Sequence, residues 1–107
     1  MTDKLFNDLW LDALAQPDKE LYIAEYGYSD WFDEISQKPD EVMDILSSIH
    51  RVAHMSLKDM VKHSGLSQAR FAEKFCIPKR TVENWCSGTN KCPHYTRLMI
   101  ARLIGII

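Results

Sequence analysis

The stretch from Leu66 to Trp85 constrains this chain more than any other. It reads Leu-Ser-Gln-Ala-Arg-Phe-Ala-Glu-Lys-Phe, then Cys-Ile-Pro, then Lys-Arg-Thr-Val-Glu-Asn-Trp. Phe71, Ala72 and Phe75 fall on one face of a first short helix, and Val82 and Trp85 lie three apart on a second, a spacing that assigns both to a core. Ser67 can cap the first helix through its hydroxyl. Pro78 suits the first turn of the second, where its missing N–H would have no partner anyway. Ala72 sits where the two helices should cross, and its small side chain permits close approach. The joint between them is too tight for a flexible loop.

Around this stretch the rest of the chain reads as helix. Leu5, Phe6, Leu9, Trp10, Ala13 and Leu14 give an amphipathic helix over residues 3–15, ended by Gln16-Pro17. A second helix is expected from Asp18 to Tyr26, stopped by Gly27. Ser29 would cap a short third one burying Trp31, Phe32 and Ile35. Pro39 opens a longer helix with Val42, Ile45, Leu46, Ile49 and Ala53 on one face, ending near His54. Ser56-Leu57-Lys58-Asp59 has the form of a capping box before Met60 and Val61, and Gly65 closes that helix. Gly88 is placed as a left-handed cap after Trp85. Pro93 opens the last helix, with Tyr95, Leu98, Met99, Ala101 and Leu103 apolar. Strand-like alternation, internal repeats and low-complexity tracts are absent, so the expected class is all-α.

Length and charge bound the organisation. With 107 residues, 46% hydrophobic, the chain suffices for one compact domain and is short for two. The net charge of -2 hides a strong asymmetry. Residues 1–50 carry 12 acidic and 3 basic side chains, a balance of -9, whereas residues 51–107 carry 3 acidic and 10 basic, a balance of +7. A basic half is the electrostatic footprint of a nucleic-acid-binding unit, and the acidic half should not lie on phosphate. The reading is therefore an acidic helical extension over 1–54 and a basic helical domain over 55–107. No linker rich in Gly, Ser or Pro separates them, which leaves the first free to pack on the second.

Two short helices across a tight turn form a helix-turn-helix, whose second helix enters the DNA major groove. From about Ser56 onward the chain resembles the phage repressor–Cro family of bacterial regulators, the xenobiotic-response-element type. The resemblance covers roughly half the chain. It rests on Leu66-Ser67-Gln68, Ala72, Ile77-Pro78, Thr81-Val82, Trp85, Gly88 and Pro93 in family register. It departs from the pattern at the turn position usually filled by glycine, which is Cys76 here. A non-glycine residue at positive φ costs on the order of 1 kcal/mol. Residues 1–54 carry no such resemblance.

The resemblance implies a five-helix repressor-like bundle whose third helix reads bases. It implies that Gln68 bonds a phosphate or a base at the groove edge. Lys79, Arg80, Thr81 and Asn84 would face the groove, and Thr89, Asn90 and Lys91 would grip the backbone. The chemistry of these side chains agrees. Arginine or lysine bridges guanine O6 and N7, asparagine pairs with adenine, and a threonine methyl touches thymine. Glu83 could accept from cytosine N4, but a solvent-facing or arginine-pairing role fits a carboxylate better. The expected function is a sequence-specific DNA-binding regulator, a repressor acting on double-stranded DNA as a homodimer in the cytoplasm. The alternative is an antitoxin or protein-inhibitor module whose acidic half binds a protein partner.

Other readings are weaker. Cys76, Cys86, Cys92 and His94 lack the Cys-x2-4-Cys spacing of a zinc site, and three cysteines without a disulfide rhythm read as free thiols in a reducing compartment. His50, His54 and His63 read as surface residues. Asp30, Asp33 and Glu34 form a solvated face rather than a catalytic cluster, so neither enzyme activity, cofactor nor metal is expected. The N-terminus lacks a signal-peptide pattern, and no apolar run reaches the length of a membrane span. The apolar residues Ile100, Leu103, Ile104, Ile106 and Ile107 exceed one core stripe. They either close the core or form a dimer surface.

Overall fold

The computed structural model describes residues 2–26 and 38–107. Among them lie seven helices and no strand: α1 (Asp3–Ala15), α2 (Lys19–Tyr26), α3 (Pro39–Ala53), α4 (Leu57–Ser64), α5 (Gln68–Lys74), α6 (Lys79–Ser87) and α7 (His94–Leu103). The expected short helix after Ser29, with Trp31, Phe32 and Ile35, and the carboxylates Asp30, Asp33 and Glu34 fall outside the described residues. No described helix is long and apolar enough to cross a membrane. The chain divides into two compact units, Met1–His54 together with Ile107, and Met55–Ile106.

In the first unit α1 and α2 both pack on α3 and on each other. The Thr2 hydroxyl starts α1 by accepting from the Leu5 N–H at 3.2 Å. Asp18, expected inside α2, instead caps it, accepting from the Glu20 and Leu21 N–H groups at 2.9 and 3.1 Å. Aspartate competes with the backbone for such donors, which favours the cap over the helix interior. Phe6, Leu9, Trp10 and Ala13 of α1 are buried, as are Tyr22 of α2 and Val42, Leu46, Ile49, Val52 and Ala53 of α3. Each fully buried large aliphatic or aromatic side chain contributes about 1.5–3 kcal/mol. The polar end of Tyr22 is satisfied in place, because its hydroxyl donates to the Leu9 carbonyl at 2.8 Å.

Of the histidines expected at the surface, His54 and His63 are exposed and His50 is not. His50 is buried, and its Nε2 lies 2.8 Å from the Gln16 carbonyl oxygen. His54, although exposed overall, places Nε2 2.7 Å from the Ala13 carbonyl oxygen. Both acceptors sit at the C-terminal end of α1, where carbonyls run short of helix donors; Ala13 also accepts the Gln16 N–H at 3.3 Å, and the ring nitrogens come from His50 in α3 and His54 just after it. His63 is exposed, in line with its sequence reading.

In the second unit α4 is the common partner, packing against α5, α6 and α7, while α5 also packs on α6. The buried set is Met55, Leu57, Met60 and Val61, Phe71 and Ala72, Val82, and Ile100 and Ala101. Ser56 caps α4 through the Asp59 N–H at 3.2 Å, and Gly65 ends it at φ 73°. The Arg97 guanidinium of α7 is half-buried and donates to the Met55 carbonyl at 2.9 Å. The apolar tail splits: Ile100 is core, Ile104, Ile106 and Ile107 are half-buried, and Leu103 is exposed.

Candidate functional site

The connection between α5 and α6 is built from backbone hydrogen bonds. Ser67 caps α5 by accepting from the Arg70 N–H at 3.2 Å. At the other end the Ile77 N–H donates to the Ala72 carbonyl at 2.9 Å and the Cys76 N–H to the Glu73 carbonyl at 3.3 Å. This is the Schellman pairing, which needs a left-handed residue at the first of the two donors. Cys76 supplies it with φ 54°, the only non-glycine positive φ among the described residues. Ala72 is buried.

Beyond the turn, Pro78 stands one place ahead of α6, outside the helix rather than in its first turn. No side chain caps α6, so the positive end of its dipole is left to other partners. Val82 is wholly buried. Trp85, assigned to the core by spacing, is only half-buried, as is common for so large a ring. On the other side Lys79 and Arg80 are exposed, and Thr81 and Asn84 are half-buried.

The loop after α6 begins at Gly88 with φ 82°. It turns back on the helix, because the Asn90 N–H donates to the Asn84 carbonyl at 3.2 Å. The Ser87 and Thr89 hydroxyls lie 2.9 Å apart. Thr89, Asn90 and Lys91 are all exposed, and so is Gln68, the first residue of α5. The eight sequence-selected residues therefore occupy the start of α5, the open side of α6 and the loop that follows it, with none in the core.

Two features were not foreseen. Glu83 pairs with Lys79 at 3.8 Å rather than with an arginine. The i,i+4 spacing in the sequence carried that signal. Arg70, exposed two positions beyond Gln68, adds a cation to the same end of α5. The three cysteines are free. Burial pushes the Cys92 thiol up to about 11, with Arg97 opposing and Cys86 reinforcing, and burial also raises Cys86 against the pull of Lys58. Burial lowers Arg97 from its usual range, with Cys92 opposing. No group of three or more potential metal ligands occurs among the described residues.

Compared with known proteins, the chain matches no family model, no curated protein and no solved structure.

Proposed function

We propose that the chain is a non-enzymatic, sequence-specific DNA-binding regulator, a transcriptional repressor of cytoplasmic setting. In this reading α5 and α6 form a repressor-like helix-turn-helix, α6 is the recognition helix, and the protein works on two-fold sites as a homodimer. The observation that carries the reading is α6 itself. Val82 is buried on one side, while Lys79, Arg80, Thr81 and Asn84 remain accessible on the other, after a turn held by Cys76 at φ 54°. Those four side chains have the hydrogen-bonding and methyl groups that discriminate base edges. The backbone-positioning contacts fall to Gln68, Thr89, Asn90 and Lys91, and the +7 balance of residues 51–107 supplies attraction to phosphate.

A second reading, an antitoxin or inhibitor module, is favoured by the -9 balance of residues 1–50, which suits a basic protein surface. The two readings are compatible, one for each unit. Selection of bound duplexes from a random pool tests the first. A recurrent motif of a few base pairs supports it, and a pool that stays random under low-salt binding removes it.

A further inference from the structure

One side of α1 carries a groove of about 310 Å3, lined by Leu5, Asp8, Leu9, Leu11 and Asp12. Among the described residues all its walls come from this one helix. Helical spacing orders them across the surface. Leu9, buried, adjoins the core face of Phe6, Trp10 and Ala13, and half-buried Leu5 stands beside it. Asp12 and Asp8 come next, and Leu11, 50% exposed, forms the far edge. Leucines thus flank two carboxylates, and neither carboxylate makes an ion pair among the described residues. The helix as a whole holds three aspartates against one lysine.

We propose that this groove docks a basic amphipathic helix of a partner protein. The partner's apolar side chains lie against Leu5, Leu9 and Leu11. Its lysines or arginines reach Asp8 and Asp12, their aliphatic stems running along the leucines. The proposal rests on the inhibitor-module reading of the first unit and adds to it the surface and the chemistry of the partner. Charge selects the occupant. Residues 1–50 carry 12 acidic and 3 basic side chains, so nucleic acid, an anionic lipid surface and the same unit of a second copy are all repelled. A lysine-rich or arginine-rich surface is drawn in and finds two carboxylates without a counter-charge. Size selects its form. The volume is at the lower end for small-molecule sites, and one side of one helix encloses no such ligand. Leu5 to Leu11 is six residues, about 9 Å along the axis, close to the reach of anchors spaced i, i+3 or i+4, and i+7 on a partner helix.

The test uses the full chain and two synthetic peptides of about 18 residues, long enough to form a helix on a surface. Both contain only leucine and lysine in equal number. One spaces its leucines at i, i+3, i+4 and i+7, and the other has the same composition scrambled. Four variants are compared with wild type by titration calorimetry. Leu11→Ser and Asp8→Lys alter exposed positions in the groove. Leu21→Ser and Glu20→Lys make the same changes at exposed positions of α2 outside it. The patterned peptide binds wild type on the order of 10-fold more tightly than the scrambled one. Leu11→Ser weakens it on the order of 10-fold, the loss from uncovering a half-exposed leucine. Asp8→Lys weakens it several-fold more than Glu20→Lys does, although both change the net charge equally. Leu21→Ser leaves it unchanged. Equal affinity for the two peptides, or equal losses inside and outside the groove, overturns the proposal while the acidic unit still attracts basic partners. Self-association of wild type that Leu11→Ser abolishes overturns it too, because a second copy would then be the occupant. If neither peptide binds at low salt, the inhibitor-module reading fails, and the proposal with it.

Discussion

His50 Nε2 stands 2.8 Å from the backbone carbonyl oxygen of Gln16, 34 positions earlier in the chain. A carbonyl only accepts, so Nε2 is the protonated nitrogen of this ring. The ring also stacks at a tilt on Tyr22, with centroids 5.4 Å apart. His50→Leu keeps much of the volume but removes the donor at the end of α1. The expected loss is about 1–3 kcal/mol in chemical denaturation, the cost of an unsatisfied buried acceptor. An unchanged midpoint would show that water reaches the Gln16 carbonyl.

Cys76 offers a test of backbone strain. Its φ of 54° is a conformation that glycine adopts freely. Cys76→Gly should raise stability by up to about 1 kcal/mol, the relief of the left-handed penalty offset in part by the freer unfolded chain. Cys76→Val, branched at Cβ, should lower it. The two variants moving in the same direction in thermal unfolding would contradict the assignment of strain to this turn.

Much of the architecture was legible in the sequence because it is local. The bounds of α1 followed from helical spacing and Gln16-Pro17, Gly65 marked a helix end and Gly88 a left-handed cap, and both glycines stand at positive φ. The positive φ at Cys76 followed from position within a motif. What the sequence hid is long-range. Nothing in the neighbourhood of His54 indicates that its acceptor is the Ala13 carbonyl, 41 residues away. The apolar tail was ambiguous for another reason. Ile100 and Leu103 are both apolar and three apart, so periodicity alone could not choose which faces the core. Packing on α4 buries Ile100 and leaves Leu103 exposed. At the candidate site the exposed residues were readable by type, and the Lys79–Glu83 pair was readable from its i,i+4 spacing.

Thiol chemistry should rank the cysteines. Cys76 is exposed, while Cys92 is half-buried with its thiol held up at about 11 against a usual 9.0. Alkylation of the native protein near pH 8, followed by mass spectrometry, should modify Cys76 first and Cys92 last. Between pH 9 and 11 the unfolded thiol at 92 ionises while the folded one keeps its proton. Its contribution to stability is therefore full below about pH 9 and declines as pH rises through about 11. Equal alkylation rates at the two positions would contradict the burial of Cys92.

Glu83 sits on α6, the proposed recognition helix, as a carboxylate 3.8 Å from the Lys79 ammonium, both largely exposed. Such a pair is worth no more than about 0.5 kcal/mol to folding. Glu83→Gln should leave thermal stability nearly unchanged and tighten binding to all duplexes several-fold at low salt, because a charge repelling phosphate is removed and Lys79 is released. Binding that weakens for one motif base alone would instead make Glu83 a direct reader of that base.

The central claim is that α6 reads bases, and Arg80 is its exposed arginine, one turn before Asn84. The most direct measurement is the affinity of wild type and Arg80→Ala for a panel of duplexes carrying every single-base change in the pool-selected motif. The account predicts that Arg80→Ala loses about 1–3 kcal/mol on the preferred sequence and stops discriminating at one position, while preferences elsewhere persist. An equal loss across the whole panel, with every preference intact, would contradict it and reduce Arg80 to a phosphate contact.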